Sequence, residues 1–173
     1  MSDIDFASLS VKDTLDLAIA IEEDARERYL EFADQMEKHH TPEAASFFRK
    51  MADIEKGHAE RLRGRRKAEV GDAEATVDPN LAMDVEAPDY DQARAFMSAR
   101  RALEVAYESE VKAYRFYDGA LTVASGEELR SLYEDLRQQE SRHQEMIQEF
   151  MSRLPEEADV DPDDYVDESH EGY

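Results

Sequence analysis

Two copies of one short pattern, Glu55-Lys56-Gly57-His58 and Glu140-Ser141-Arg142-His143, constrain this chain more than any other feature of it. Each sits in a run whose members recur at steps of three and four: Phe48, Met51, Glu55, His58 and Leu62 in one, and Leu129, Tyr133, Leu136, Glu140, His143, Ile147 and Phe150 in the other. That spacing is the core-facing stripe of an α-helix, so both acid–imidazole pairs face inward. Any fold that accepts them must supply a reason to bury charge.

Four long segments carry helical periodicity and are bracketed by start and stop signals. The first is predicted from about Val11 to Lys38, with Ser10 as N-cap; the second starts at Thr41-Pro42 and runs to about Ala68. The third covers about Tyr90 to Val123, and the fourth begins after Ser125, which forms a capping box with Glu128, and ends before Pro155. Strand signals are absent. Short connections make the first two helices one antiparallel hairpin and the last two another. The middle connection, Gly71 to Pro88, is long enough to travel the length of a bundle. The expectation is an all-α, ferritin-like four-helix bundle: two antiparallel hairpins joined by a long crossover.

The hairpins repeat one another. Leu15 aligns with Leu103, Ala18 with Ala106, Glu22 with Glu110, Ala25 with Ala113 and Tyr29 with Tyr117; in the partner helices Phe48 aligns with Tyr133, Met51 with Leu136, Glu55 with Glu140 and His58 with His143. A pseudo-two-fold molecule follows, with a glutamate on the seam of every helix. The first seam reads Leu15, Ile19, Glu22, Arg26, Tyr29, Ala33, Met36, and the third reads Leu103, Tyr107, Glu110, Tyr114, Tyr117, Leu121.

Four carboxylates and two imidazoles in one core repel one another, and each buried charge costs several kcal/mol. Two divalent cations cancel that charge. One glutamate from each of two helices plus Glu-x-x-His from each of the other two is the ligand set of a carboxylate-bridged di-metal site. Oxygen donors with one imidazole per metal suit iron, or manganese as second choice, better than a closed zinc site. The bland alternative pairs these groups with Arg26, Arg100 or solvent. A further match, Glu37 with His40, is out of seam register and is stopped by Pro42, so it is read as surface.

Composition narrows the function classes. With no cysteine, disulfides, thiolate metal sites and thiol catalysis are excluded. A net charge of −22 argues against binding nucleic acid through its phosphates. No apolar run is long enough for a membrane span, and the N-terminus is acidic, which points to the cytoplasm. Residues 155–173 carry nine Asp and Glu and no Lys or Arg, so the expected organisation is a bundle over residues 1–154 and an acidic, disordered tail over 155–173.

These residues resemble the diiron domain of rubrerythrins, within the ferritin-like superfamily. The resemblance rests on Glu22 in "EEDARERYLEFA", Glu55 and His58 in "IEKGHAERL", Glu110 in "ESEVKAYRFY" and Glu140 and His143 in "QQESRHQEM". It implies that Glu55 and Glu140 bridge two irons, that His58 and His143 each bind one, and that Glu22 and Glu110 are terminal carboxylates. It also implies reaction of Fe(II) with dioxygen or hydrogen peroxide, in iron handling or oxidant defence. Two departures stand out. The chain has no cysteines for a rubredoxin module, so peroxide reductase turnover would need an external electron donor. The further glutamate typical of the family near the third-helix ligand is absent, since Ala113 stands three residues after Glu110; Glu23 and Glu108 are nearby but point off the seam.

Tyr29 and Tyr117 read as core aromatics with hydrogen-bonded hydroxyls, and Met36, Met51, Met97, Met146 and Met151 as core filling. Phe32, Phe47 and Phe116 look like leftover apolar surface, which suggests a homodimer. A different class of function, a metal-stabilised bundle that docks partners through its acidic tail, is the competing reading.

Overall fold

A computed structural model describes residues 4–92 and 97–154, and the acidic segment 155–173 lies outside them. Four α-helices occur among the described residues: α1 (Val11–Lys38), α2 (Pro42–Val70), α3 (Ala99–Val123) and α4 (Glu127–Arg153). The crossover between α2 and α3 holds two short 3-10 turns, Pro79–Ala82 and Tyr90–Gln92. No strand occurs among the described residues, and none of the described helices is long and apolar enough to cross a membrane.

The helix ends show how local chemistry sets the boundaries. Ser10 caps α1: its hydroxyl accepts from the Asp13 amide at 3.2 Å while the Asp13 carboxylate accepts from the Ser10 amide at 3.1 Å. This reciprocal pairing satisfies amides that the first helical turn leaves without partners. Thr41 does not cap α2 with its side chain; its hydroxyl instead donates to Met36 O at 3.0 Å and closes the end of α1. The second helix runs two residues beyond the expected Ala68 and stops at Gly71, whose φ of 70° is readily adopted only without a Cβ.

Two expected boundaries need correction. The third helix begins at Ala99 rather than near Tyr90, because Ser98 accepts from the Arg101 amide at 3.1 Å and ends the crossover there. The fourth has no Ser125–Glu128 box: Gly126, at φ 93°, takes the N-cap position with no side-chain bond. Glu127 and Glu128 still place negative charge on the positive end of the helix dipole.

The buried apolar residues form two clusters. One contains Leu15, Leu17, Ile21, Leu62, Tyr117, Leu129, Tyr133 and Leu136; the other contains Tyr29, Phe32, Met36, Phe48, Met51, Met97, Leu103, Val105 and Ile147. Helices α1 and α4 run from the first cluster to the second, and α2 and α3 run the other way. The crossover therefore leaves α2 at one end of the bundle and enters α3 at the other, as in a ferritin-like bundle. Each helix passes from one cluster to the other through its inward glutamate, so the polar groups lie as a layer between two apolar halves.

The apolar surface read from sequence is mostly used within the chain. Phe32 is fully buried, with its ring edge on Phe48 at 5.4 Å. Phe47 packs against the same cluster, and Phe116 lies under Phe6 with ring centroids 5.0 Å apart. These three positions thus carry no argument for a homodimer.

Candidate metal centre

The helices bring Glu22, Glu55, Glu110 and Glu140 into one layer with no exposed surface, and His58 and His143 beside them at 6% exposure. The i, i+3 spacing lays each imidazole against the carboxylate of its own helix: His58 Nδ1 is 3.0 Å from Glu55 Oε2, and His143 Nδ1 is 3.4 Å from Glu140 Oε2. Each also faces the glutamate of its hairpin partner, Glu22 Oε2 at 3.4 Å from His58 and Glu110 Oε2 at 2.8 Å from His143. The two rings stack with centroids 4.4 Å apart, and their Nε2 atoms meet at 3.2 Å. The pseudo-two-fold axis expected from the repeat passes between them.

A fifth carboxylate joins these groups. Glu86, in the crossover, is fully buried, and its oxygens fall within two donor groups: one with Glu22 and Glu140, the other with Glu55, Glu110 and His143. Within each group the ligand atoms lie within 4.8 Å of one another. Glu86 was not among the residues singled out from sequence. It belongs to no helical stripe and has no counterpart in the repeat; its only signal is an acid flanked by Val85 and Ala87 in a helix-poor segment.

The electrostatics are those of a site built for positive charge. Among the described residues no Lys or Arg forms an ion pair with any of the five carboxylates, so the alternative of Arg26 or Arg100 as partners is not realised; Arg100 pairs with Glu104 instead. Both oxygens of Glu55, Glu86 and Glu140, and Glu22 Oε2, are buried without a hydrogen-bond partner among the described residues. Burial first, and the neighbouring carboxylates second, push Glu55, Glu86 and Glu140 well above the usual carboxylate range. For His143 burial acts downward, but the hydrogen bond and charge of Glu110 outweigh it and raise the imidazole.

That donor set fits divalent cations. Oxygen donors are in excess, each imidazole turns Nδ1 toward the carboxylates, and orphaned buried oxygens are what a bound cation would satisfy. Around the layer, Tyr29 donates to Glu110 Oε1 at 3.4 Å and Gln139 Nε2 donates to Glu22 Oε1 at 2.9 Å. The Tyr117 hydroxyl, in the matching position of the second hairpin, is buried with no partner among the described residues. Glu23 and Glu108 lie on the outer surface, where Glu23 pairs with Arg63 and Glu108 accepts from Gln92. Glu37 is likewise outside, paired with Arg49. A pocket of about 160 Å³, lined in part by His58, Arg61, Asp135 and Gln139, opens from the surface onto the layer.

Comparison with known proteins agrees with this picture. No curated protein matches the sequence. Among solved structures, an uncharacterised conserved protein from Magnetospirillum magnetotacticum MS-1 superposes with a TM-score of 0.67 at 25% identity, over 87% of this chain and 99% of that one. The family model for rubrerythrin matches residues 13–94 and 101–171. That match spans most of the chain and the greater part of all four helices, and the chain belongs to the rubrerythrin family.

Proposed function

We propose that this protein holds two iron ions between Glu22, Glu55, His58, Glu110, Glu140 and His143, and oxidises Fe(II) with dioxygen or hydrogen peroxide in a cytoplasmic role in iron handling or oxidant defence. The observation that carries this reading is the set of buried carboxylate oxygens without partners around two imidazoles on a pseudo-two-fold axis. In this reading residues 1–154 are the metal-binding bundle and 155–173 an acidic appendage to it.

Two bound irons would each give one electron to the oxidant. The protein does the rest. Glu55 and Glu140, each beside the imidazole of its own helix, would be ligands in this reading, and carboxylates tolerate changes of binding mode as the metal charge changes. Apolar clusters on both sides keep bulk water from the layer, which strengthens every charge interaction within it. The pocket beside His58 lies next to the layer, and Gln139, which also lines it, donates to Glu22. Tyr29 and Tyr117 stay protonated, because burial and the adjacent glutamates raise both phenols.

Anaerobic titration of metal-free protein with Fe(II), followed by air or peroxide while ferric absorbance is recorded, tests this. Wild type should bind two irons per chain and develop the absorbance, and Glu55→Ala should do neither. Sustained peroxide consumption only when a reductant is supplied would shift the reading to a peroxide reductase. Absence of iron binding would sink both.

A further inference from the structure

The crossover is held against the bundle around one residue. Arg28 of α1, 2% exposed, donates to Pro88 O and, at 3.0 Å, to Asp84 Oδ1, and its guanidinium lies 3.4 Å over the Tyr90 ring. Lys112 of α3 donates to Ala87 O at 2.8 Å and Asp89 Oδ1 at 3.0 Å. The Asp84 amide donates to Asp24 Oδ2 at 2.9 Å, and Asp84 itself sits at φ 60°, a conformation that non-glycine residues rarely adopt. All of these contacts grip the backbone or outer side chains on either side of Glu86. None reaches its carboxylate, whose two oxygens have no partner among the described residues and point among Glu22, Glu55, Glu110, Glu140 and His143.

Resting on the di-metal reading above, we propose that Glu86 is a seventh metal ligand, shared between the two metal positions, and that it makes docking of the crossover depend on bound metal. The four helical glutamates are fixed by the helices that carry them. Glu86 is on a loop, so it is the carboxylate that can leave the layer with the least disruption of packing when no cation offsets the negative charge. Bound metal reverses that balance, because the same carboxylate then becomes a ligand. The segment from Leu81 to Gln92 would thus report the state of the buried centre at the protein surface.

Hydrogen exchange followed by mass spectrometry on the full chain tests this, with Mn(II) as a redox-stable probe and its stoichiometry measured in parallel by calorimetry. In wild type, Mn(II) should slow exchange in peptides spanning 81–92 by about tenfold or more relative to metal-free protein. Glu86→Gln, neutral and of the same shape, should keep this segment protected without metal, show no Mn(II) response there, and bind Mn(II) at least about tenfold more weakly. Two Mn(II) bound in wild type with unchanged exchange over 81–92 would overturn the inference and leave the di-metal reading intact. So would a Glu86→Gln variant with wild-type affinity and response. No Mn(II) or Fe(II) binding in wild type would overturn both.

Discussion

At the scale of single residues, the site trades stability for the capacity to hold charge. Glu55 is fully buried without a hydrogen-bond partner for either oxygen among the described residues, and that cost is present whenever no cation offsets it. Glu55→Gln should therefore stabilise the metal-free protein by about 1–3 kcal/mol in denaturant titrations with chelator present, and should lose that advantage when Mn(II) is added. The two symmetry-related tyrosines should respond differently. Tyr29 donates to Glu110, so Tyr29→Phe should cost about 1 kcal/mol, whereas Tyr117→Phe removes a hydroxyl with no partner and should be neutral or slightly stabilising. Equal effects from the two substitutions would show that the hydroxyls are equivalent in solution.

Among the elements, α1 has the most fully specified start. Asp13 completes the Ser10 box and also accepts from the Thr76 hydroxyl at 2.5 Å, which ties the beginning of the crossover to the beginning of the bundle. Hydrogen bonds from Ser10 and then Thr76 lower its pKa from 3.8 to about 2. A depressed carboxylate contributes stability above its unfolded pKa and loses it as pH falls through the folded value. Asp13→Asn should thus cost about 1 kcal/mol at neutral pH, limited by solvent screening at this half-buried position, with the difference from wild type closing between pH 4 and pH 2. Thermal melts of both proteins across that range would show it. The other helix starts rely on different devices: a proline in α2, a serine hydroxyl in α3 and a glycine of positive φ in α4.

For the whole molecule, two apolar clusters enclose a polar layer, and the layer sets the response to pH and metal. The raised pKa values of Glu55, Glu86 and Glu140 have the opposite sign to that of Asp13: their contribution is fully present below the ordinary value of 4.5 and is lost as pH rises through the folded values. Metal-free protein should consequently melt at higher temperature as pH is lowered from 8 toward 5. With Mn(II) the trend should reverse, because protons then compete with the metal for the same oxygens. Scanning fluorimetry at a series of pH values, with chelator and with Mn(II), would distinguish the two slopes.

The all-α class, the α1 boundaries, the antiparallel hairpins and the convergence of Glu22, Glu55, His58, Glu110, Glu140 and His143 were legible in the sequence, because helical periodicity fixes which residues share a face and an internal repeat fixes how the faces pair. The start of α3 was less so: apolar spacing continues upstream of Ser98, yet the helix begins only where Ser98 accepts from the Arg101 amide. Phe32, read from the sequence as leftover apolar surface, is instead buried in the core against Phe48. Glu86 lay furthest from reach, since a loop residue has no period to place it, and only the path of the crossover over the bundle decides that its carboxylate enters the layer. Residues on regular elements carry their burial in their spacing; residues on irregular ones acquire it from long-range contacts that no local pattern encodes.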